Sequence, residues 1–250
     1  MTCDPTVDQL RRWCRVATEG MAASIAAAAE STVRAYPGWT GRDLALHVVR
    51  VYANAAIALR SGVLQRPTPE LALSRDAAPD ALGDGVRQAL REAEAALDDC
   101  PHDVVWTPVG AGPPTFWQRR LLREAVLHRW DAEQARGAAS TPDEEQVLVL
   151  IDEFLTTDVA RALAGDEHRR QGALVVRAGD HSWTVRLADG TVDRDAEDLA
   201  DAATIGGEPA AVWLWLVRRE ELPGPVAIDE VDGHGDFFAG LIDQFARPAR

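Results

Sequence analysis

The sequence predicts an α+β protein: an N-terminal bundle of four or five helices followed by a smaller C-terminal α/β domain. Three observations carry this prediction. Up to about residue 164, apolar side chains recur at three- and four-residue spacing, the period of helices that bury one face. From about Gly172 the period shortens to two, as expected of strands. Finally, His47, Glu124 and His128 stand on otherwise apolar stripes, which in a bundle places them on the inner faces of their helices.

The elements follow in order. Residues 6–34 read as an alanine-rich first helix, ended by the turn Tyr36-Pro-Gly-Trp39. Thr40 then offers a cap for the helix that carries His47. A proline-containing loop over residues 62–69 leads to a third helical segment near residues 80–97. Residues 99–115 form a loop whose apolar patch Val104-Val-Trp106 is placed to line a pocket, and the next helix holds Glu124 and His128. A turn at residues 137–142 precedes helical periodicity over residues 143–164. Beyond it, residues 173–178 and 182–188 are strand-like and separated by Gly179-Asp180, the pattern of a hairpin. A third strand is expected near residues 201–205 and another at Val226-Ala-Ile228. Pro209 suits the first turn of a helix running to about Arg219, and a last helix spans about residues 236–246.

Glu124 and His128 lie four residues apart and so share a helix face. The stripe they join reads Trp117, Leu121, Glu124, Ala125, His128, Ala132, Ala135. A buried carboxylate needs a cation, a hydrogen-bond network or a cavity, or it takes up a proton. A divalent metal supplies such a cation; an intrahelical hydrogen bond at the bundle edge is the competing reading. His47 belongs to a second stripe, Leu44, His47, Val48, Val51, Tyr52, Ala55, Ala58, Leu59. One histidine on an apolar face is ordinarily a core residue, but two histidines and a glutamate together make the donor set of a catalytic zinc site with open positions. Asp131, three residues after His128, reads equally as a partner of that imidazole or as a surface charge.

These residues carry a family resemblance. Tyr36-Pro-Gly-Trp-Thr-Gly-Arg-Asp-Leu-Ala-Leu-His47 resembles the PGW(T/S)xRDLxxH pattern of the mycothiol-dependent maleylpyruvate isomerase family, and Glu124-Ala-Val-Leu-His-Arg-Trp-Asp-Ala-Glu133 resembles its ExxxHRWDxE pattern. Asp201-Ala-Ala-Thr-Ile-Gly-Gly207, followed by Ala211-Val-Trp-Leu-Trp-Leu-Val-Arg-Arg219, is similar to the family's C-terminal domain. The resemblance implies a DinB-like, metal-binding four-helix bundle over residues 1–168 and a smaller α/β domain over residues 169–250. It further implies a divalent metal, zinc by expectation, on His47, Glu124 and His128, with mycothiol as thiol cosubstrate. The family ends its last motif with Gly-Arg where this chain has Val217-Arg-Arg219, so Arg218 and Arg219 both stand as candidate catalytic arginines. The inward stripes of the bundle show little positive charge, so the counter-cation for an anionic substrate is sought in that pair.

Composition narrows the alternatives. All 26 basic residues are arginine, which excludes a Schiff-base lysine, a phosphate-loop lysine and a lysine general base. A net charge of -14 and a pI near 4.8 argue against a nucleic-acid partner. No stretch approaches the roughly 18 to 20 apolar residues of a membrane span, and the first ten residues show no signal-peptide pattern, so a cytoplasmic monomer without a membrane partner is expected. Three cysteines without a CxxC pair fit a reducing compartment. Cys14 reads as core, while Cys3 and Cys100 lack the signature of a cysteine enzyme. Gly233-His-Gly235 reads as a turn and His102, His168 and His181 as surface residues, with His102 the one whose loop is placed to reach the metal. Trp213 and Trp215 read as core.

The function that the resemblance implies is a metal- and mycothiol-dependent isomerase acting on a small, maleylpyruvate-like electrophile by thiolate addition and elimination. A thiol S-transferase of the same fold would differ by retaining the thiol on its product. A non-catalytic ligand-sensing bundle would show no turnover.

Overall fold

The computed structural model describes residues 4–165, 171–194, 202–219, 226–229 and 234–243. By its contacts the chain divides into two compact units, one of residues 5–140 and one built mainly of residues 141–250.

The first unit is a four-helix bundle of α1 (Val7–Ala27), α2 (Gly41–Ser61), α3 (Pro79–Asp98) and α4 (Phe116–Ala135). α1 packs on α3 and α4, and α2 packs mainly on α3. Thr6 caps α1 by accepting the Gln9 amide at 3.2 Å. The helix stops at Ala27 rather than at Arg34, because Ser31-Thr-Val33 is a poor helical run and finds other partners. Val33 donates its amide to the Trp39 carbonyl, and the Gly41 and Arg42 amides reach back to Ser31 and Ala29. These bonds seat the start of α2 hard against the end of α1: a Cβ on Gly41 would lie 2.4 Å from the Ala28 carbonyl oxygen. Thr40 and Asp43 then form a reciprocal capping box that fixes where α2 begins.

Val105, inside the apolar patch of residues 104–106, is fully buried, whereas Val104 is about half exposed. The loop that carries them contains a short hairpin absent from the sequence reading, β1 (Val105–Thr107) against β2 (Gly110–Gly112). Each strand has three residues, too few for alternation to declare itself.

The second unit begins with α5 (Glu144–Phe154), which runs through one π-helical turn over Leu155–Val159 into α6 (Ala160–Ala164). Its five-stranded sheet has the order β5 (Val192–Arg194), β4 (His181–Arg186), β3 (Ala173–Ala178), β6 (Ala203–Gly207), β7 (Ala227–Asp229). Among the described strands only β3 and β6 pair in parallel. Helices α7 (Pro209–Leu216) and α8 (His234–Asp243) pack against β3 and β6. Trp213 and Trp215 are core, as expected. The third expected strand is displaced to Ala203–Gly207, and β5, three residues in a polar run, was not expected. His234 and Gly235 open α8 rather than forming a free turn, and His181 opens β4 half-buried rather than lying in a surface loop. Gly172 sits at φ +107 where a Cβ would meet the His234 ring at 2.2 Å, so glycine is required there. Cys3, His168, Asp201 and Gly233 lie outside the described residues.

The sequence reading grouped residues 143–164 with the bundle and drew the boundary at 168/169; the contacts draw it at 140/141. Asp152 of α5 gives the physical reason. Its carboxylate accepts the Trp183 indole N–H at 3.1 Å and pairs with Arg194 at 2.7 Å, and α5 packs on α7. A helical period identifies a helix but not the surface that buries it.

Candidate metal centre

The inner side of the bundle gathers three donor side chains. α2 brings His47 one turn beyond its capping box, while α4 brings Glu124 and His128 on consecutive turns. One donor atom from each lies within 4.8 Å of the other two. Glu124 Oε2 stands 3.1 Å from His128 Nε2 and 3.7 Å from His47 Nε2, the second distance being longer than a hydrogen bond. His128 and Glu124 are buried, and His47 retains some exposure.

His128 and Glu124 are each held from behind. Asp131 Oδ2 lies 2.9 Å from His128 Nδ1 and is itself buried, so it is a partner of the imidazole and not a surface charge. With its proton on Nδ1, the ring presents Nε2 to Glu124 and the interior. On the other side of Glu124, Arg120 donates Nε–H to Oε1 at 2.9 Å. The Tyr36-Pro-Gly-Trp39 turn supplies an aromatic wall: the Trp39 ring lies 5.4 Å from His47, Tyr36 lies 6.0 Å from His128, and the two aromatics stand 4.7 Å apart. Gly38, at φ +84, makes that turn possible. The two imidazoles meet edge to face at 4.9 Å.

Burial opposes ionisation of Glu124, but the hydrogen bond of His128 and the nearby His47 imidazole outweigh it and hold the carboxyl well below the usual carboxylate range. Burial also disfavours the charged form of His128, yet the Asp131 and Glu124 carboxylates outweigh it and raise its pKa. For His47 burial wins, assisted by the neighbouring His128, and its pKa falls despite Glu124. The metal-free cluster is thus a buried anion facing one imidazole that readily protonates and one that stays neutral. A divalent cation binds neutral imidazoles and an ionised carboxylate; His47 and Glu124 already favour those forms and His128 reaches its own by giving up one proton, so the donor set fits one.

The sequence reading singled out the three side chains that the fold brings together here and left Asp131 open. It missed Arg120, and its expectation that the inward side carries little positive charge is corrected by that guanidinium, whose side chain is 15% exposed. The signal was present, since Arg120 precedes Glu124 by four residues and shares its face. A search for apolar stripes passes over it because arginine buries its stem while reading as polar. α4 is also buried on more than one stripe: Arg123, Asp131 and Glu133 are all under 10% exposed. His102 does not join the cluster; its ring packs over Gly62 with Nε2 3.3 Å from the Arg60 carbonyl. Cys14 is core, with its thiol pushed up to about 12 by burial and by Glu94.

In the second unit, Arg218 and Arg219 close α7 in a Schellman pattern. The Arg218 amide bonds the Trp215 carbonyl at 2.9 Å and the Arg219 amide bonds the Leu214 carbonyl at 2.7 Å. Arg218 takes the left-handed conformation at φ 58, and its Nε pairs with Asp243 at 2.6 Å. Arg219 is 9% exposed and donates Nη1–H to the Val217 carbonyl at 2.8 Å.

A helical bundle with two histidines and a glutamate converging on its inner side, joined to a small mixed-sheet unit, defines a class of two-unit proteins with a candidate divalent-metal centre. Residues 10–133, which include all three donors, match the family described as Mycothiol maleylpyruvate isomerase N-terminal domain. Through this domain the chain belongs to the mycothiol-dependent maleylpyruvate isomerase family. The crystal structure of the mycothiol-dependent maleylpyruvate isomerase is similar in fold, with a TM-score of 0.61 and 19% identity over 90% of this chain and 94% of that one. A histidine-to-alanine mutant of that isomerase gives a TM-score of 0.60 at 18% identity over the same shares. No curated protein sequence gives a significant match. No described helix is long and apolar enough to cross a membrane.

Proposed function

We propose that this protein is a metal- and mycothiol-dependent isomerase that acts on a small cis enone dicarboxylate of the maleylpyruvate type. The observation that carries the proposal is the convergence of His47, Glu124 and His128 within 4.8 Å, inside the domain that defines the family. Two imidazoles and one carboxylate suit zinc and leave positions open for a further ligand. A zinc ion held there supplies a site where a thiol is kept as thiolate near neutral pH, at which a free thiol with pKa about 8.5 is mostly protonated.

The chain's own groups have definite tasks. Asp131 keeps the His128 Nδ1 proton and so keeps Nε2 available as a donor. Tyr36 and Trp39 cover one side of the imidazoles and limit the approach of water there. The reaction itself needs no oxidant. The thiolate sulfur forms a C–S bond to an alkene carbon, and the π electrons move to the carbonyl oxygen to give an enolate. The former double bond rotates, and the enolate collapses and expels the thiolate, leaving the trans alkene. An arginine is proposed to hold the enolate oxygen or a substrate carboxylate. Arg218 stands where the family pattern has glycine, and its left-handed backbone is the conformation glycine favours, which supports Arg219 as the functional member of the pair.

The test is product analysis with maleylpyruvate and mycothiol. The proposal expects thiol-dependent conversion to a product of unchanged mass, the trans isomer. A product heavier by the mass of the thiol would assign an S-transferase, and no turnover with any thiol and electrophile pair would assign a binding protein.

A further inference from the structure

The two oxygens of Glu124 are not equivalent. Oε2 faces both imidazoles, at 3.1 Å from His128 Nε2 and 3.7 Å from His47 Nε2, while Oε1 turns the other way and accepts Arg120 Nε–H at 2.9 Å. All the members of this arrangement sit on two helices. Arg120, Glu124 and His128 occupy successive turns of one face of α4, and His47 faces them from α2. Arg120 and Glu124 keep little exposure, 15% and 8% of their side chains, so their ion pair is shielded from the water and salt that weaken surface pairs. A guanidinium binds through fixed planar donors, so it orients a carboxylate as well as neutralising it.

We propose that Arg120 is a positioning residue that reserves Oε1 of Glu124, so that the carboxylate offers a divalent metal one oxygen only and leaves a coordination position for the thiol. The inference rests on the metal-centre reading above and assigns a role within it. Carboxylates bind such ions through one or two oxygens. With two, Glu124 would fill a position that an incoming sulfur needs. Holding Oε1 on Arg120 removes that option and leaves Oε2 turned to the imidazoles. It also places a positive charge beside the centre, which moderates the pull of the buried carboxylates Glu124 and Asp131 on a dication. Removing the guanidinium should therefore leave metal bound but change how many ligands it has.

Cobalt(II) reads ligand number directly, because four-coordinate cobalt absorbs visible light more strongly than five- or six-coordinate cobalt. The full chain, wild type, Arg120→Ala and Arg120→Lys, is loaded with cobalt and titrated with a small thiol such as N-acetylcysteine. The expected result is about one cobalt per chain in all three. Arg120→Ala should show a weaker, shifted visible band and at least a tenfold weaker response to thiol, and Arg120→Lys should recover part of both. A variant that matches wild type in band and thiol response overturns the inference alone. Loss of cobalt from Arg120→Ala, to the level of Glu124→Ala, also overturns it by making Arg120 a structural support. A wild-type chain that takes up no cobalt or zinc sinks the metal-centre reading first, and this role with it.

Discussion

Asp131 Oδ2 lies 2.9 Å from Nδ1 of His128, and both residues are only 1% exposed. That single contact decides which ring nitrogen faces Glu124. Without an acceptor at Nδ1, the neutral imidazole is free to carry its proton on Nε2, where it would block a metal. Asp131→Asn keeps the volume but removes the charge. It should lower zinc affinity about 10- to 100-fold, the usual effect of losing the outer partner of a metal-bound histidine. Competition with a chromophoric chelator measures this, and an unchanged affinity would make Asp131 irrelevant to the centre.

The same contact makes metal binding depend on pH in a defined way. His128 is raised above the ordinary histidine value, His47 is lowered and Glu124 stays ionised. In the metal-free protein the proton on His128 adds stability that is fully present below the ordinary histidine pKa and is lost as pH rises through the raised value. A metal must displace that proton. Affinity should therefore fall about tenfold per pH unit below the raised pKa of His128, with release of about one proton per metal. Calorimetry in buffers of different ionisation enthalpy counts the protons; none or two would contradict the assignment.

How much of this was legible in sequence varies with the physics behind each part. The convergence of His47, Glu124 and His128 was legible because a polar residue on an apolar stripe is conspicuous, and the turn and cap before His47 because Pro-Gly and Thr-x-x-Asp are local signals. The end of α1 was not, since Gly41 lodging against the Ala28 carbonyl is a tertiary fact. Nor was the home of α5, which depends on Asp152 reaching Trp183 and Arg194 more than thirty residues away. Arg120 was hidden by its type: nothing in one sequence separates an arginine that holds a buried carboxylate from one that is solvated.

Protein thiols should be dispensable. Burial holds the Cys14 thiol near pKa 12, so it carries almost no thiolate at neutral pH. Cys14→Ala, combined with serine at Cys3 and Cys100, should keep thiol-dependent turnover within about twofold at a stability cost of about 1 kcal/mol. Loss of all turnover in a folded, metal-containing triple variant would instead indicate a protein nucleophile.

The arginines at the end of α7 should behave differently. Arg218→Gly relieves a left-handed backbone, worth about 1 kcal/mol, and gives up an ion pair worth less than that. Thermal stability should hold or rise, with activity retained. Arg219→Lys keeps charge but loses the planar fork, and turnover should fall about 10²- to 10³-fold at constant metal content. Full activity in the double alanine variant would leave the C-terminal unit without a catalytic side chain.

The central claim is that His47, Glu124 and His128 hold one divalent ion, and elemental analysis of the purified protein tests it most directly. The account predicts about one zinc per chain in wild type, and its loss from each of His47→Ala, Glu124→Ala and His128→Ala while the helical circular-dichroism signal persists. Metal content unchanged in all three variants would contradict it.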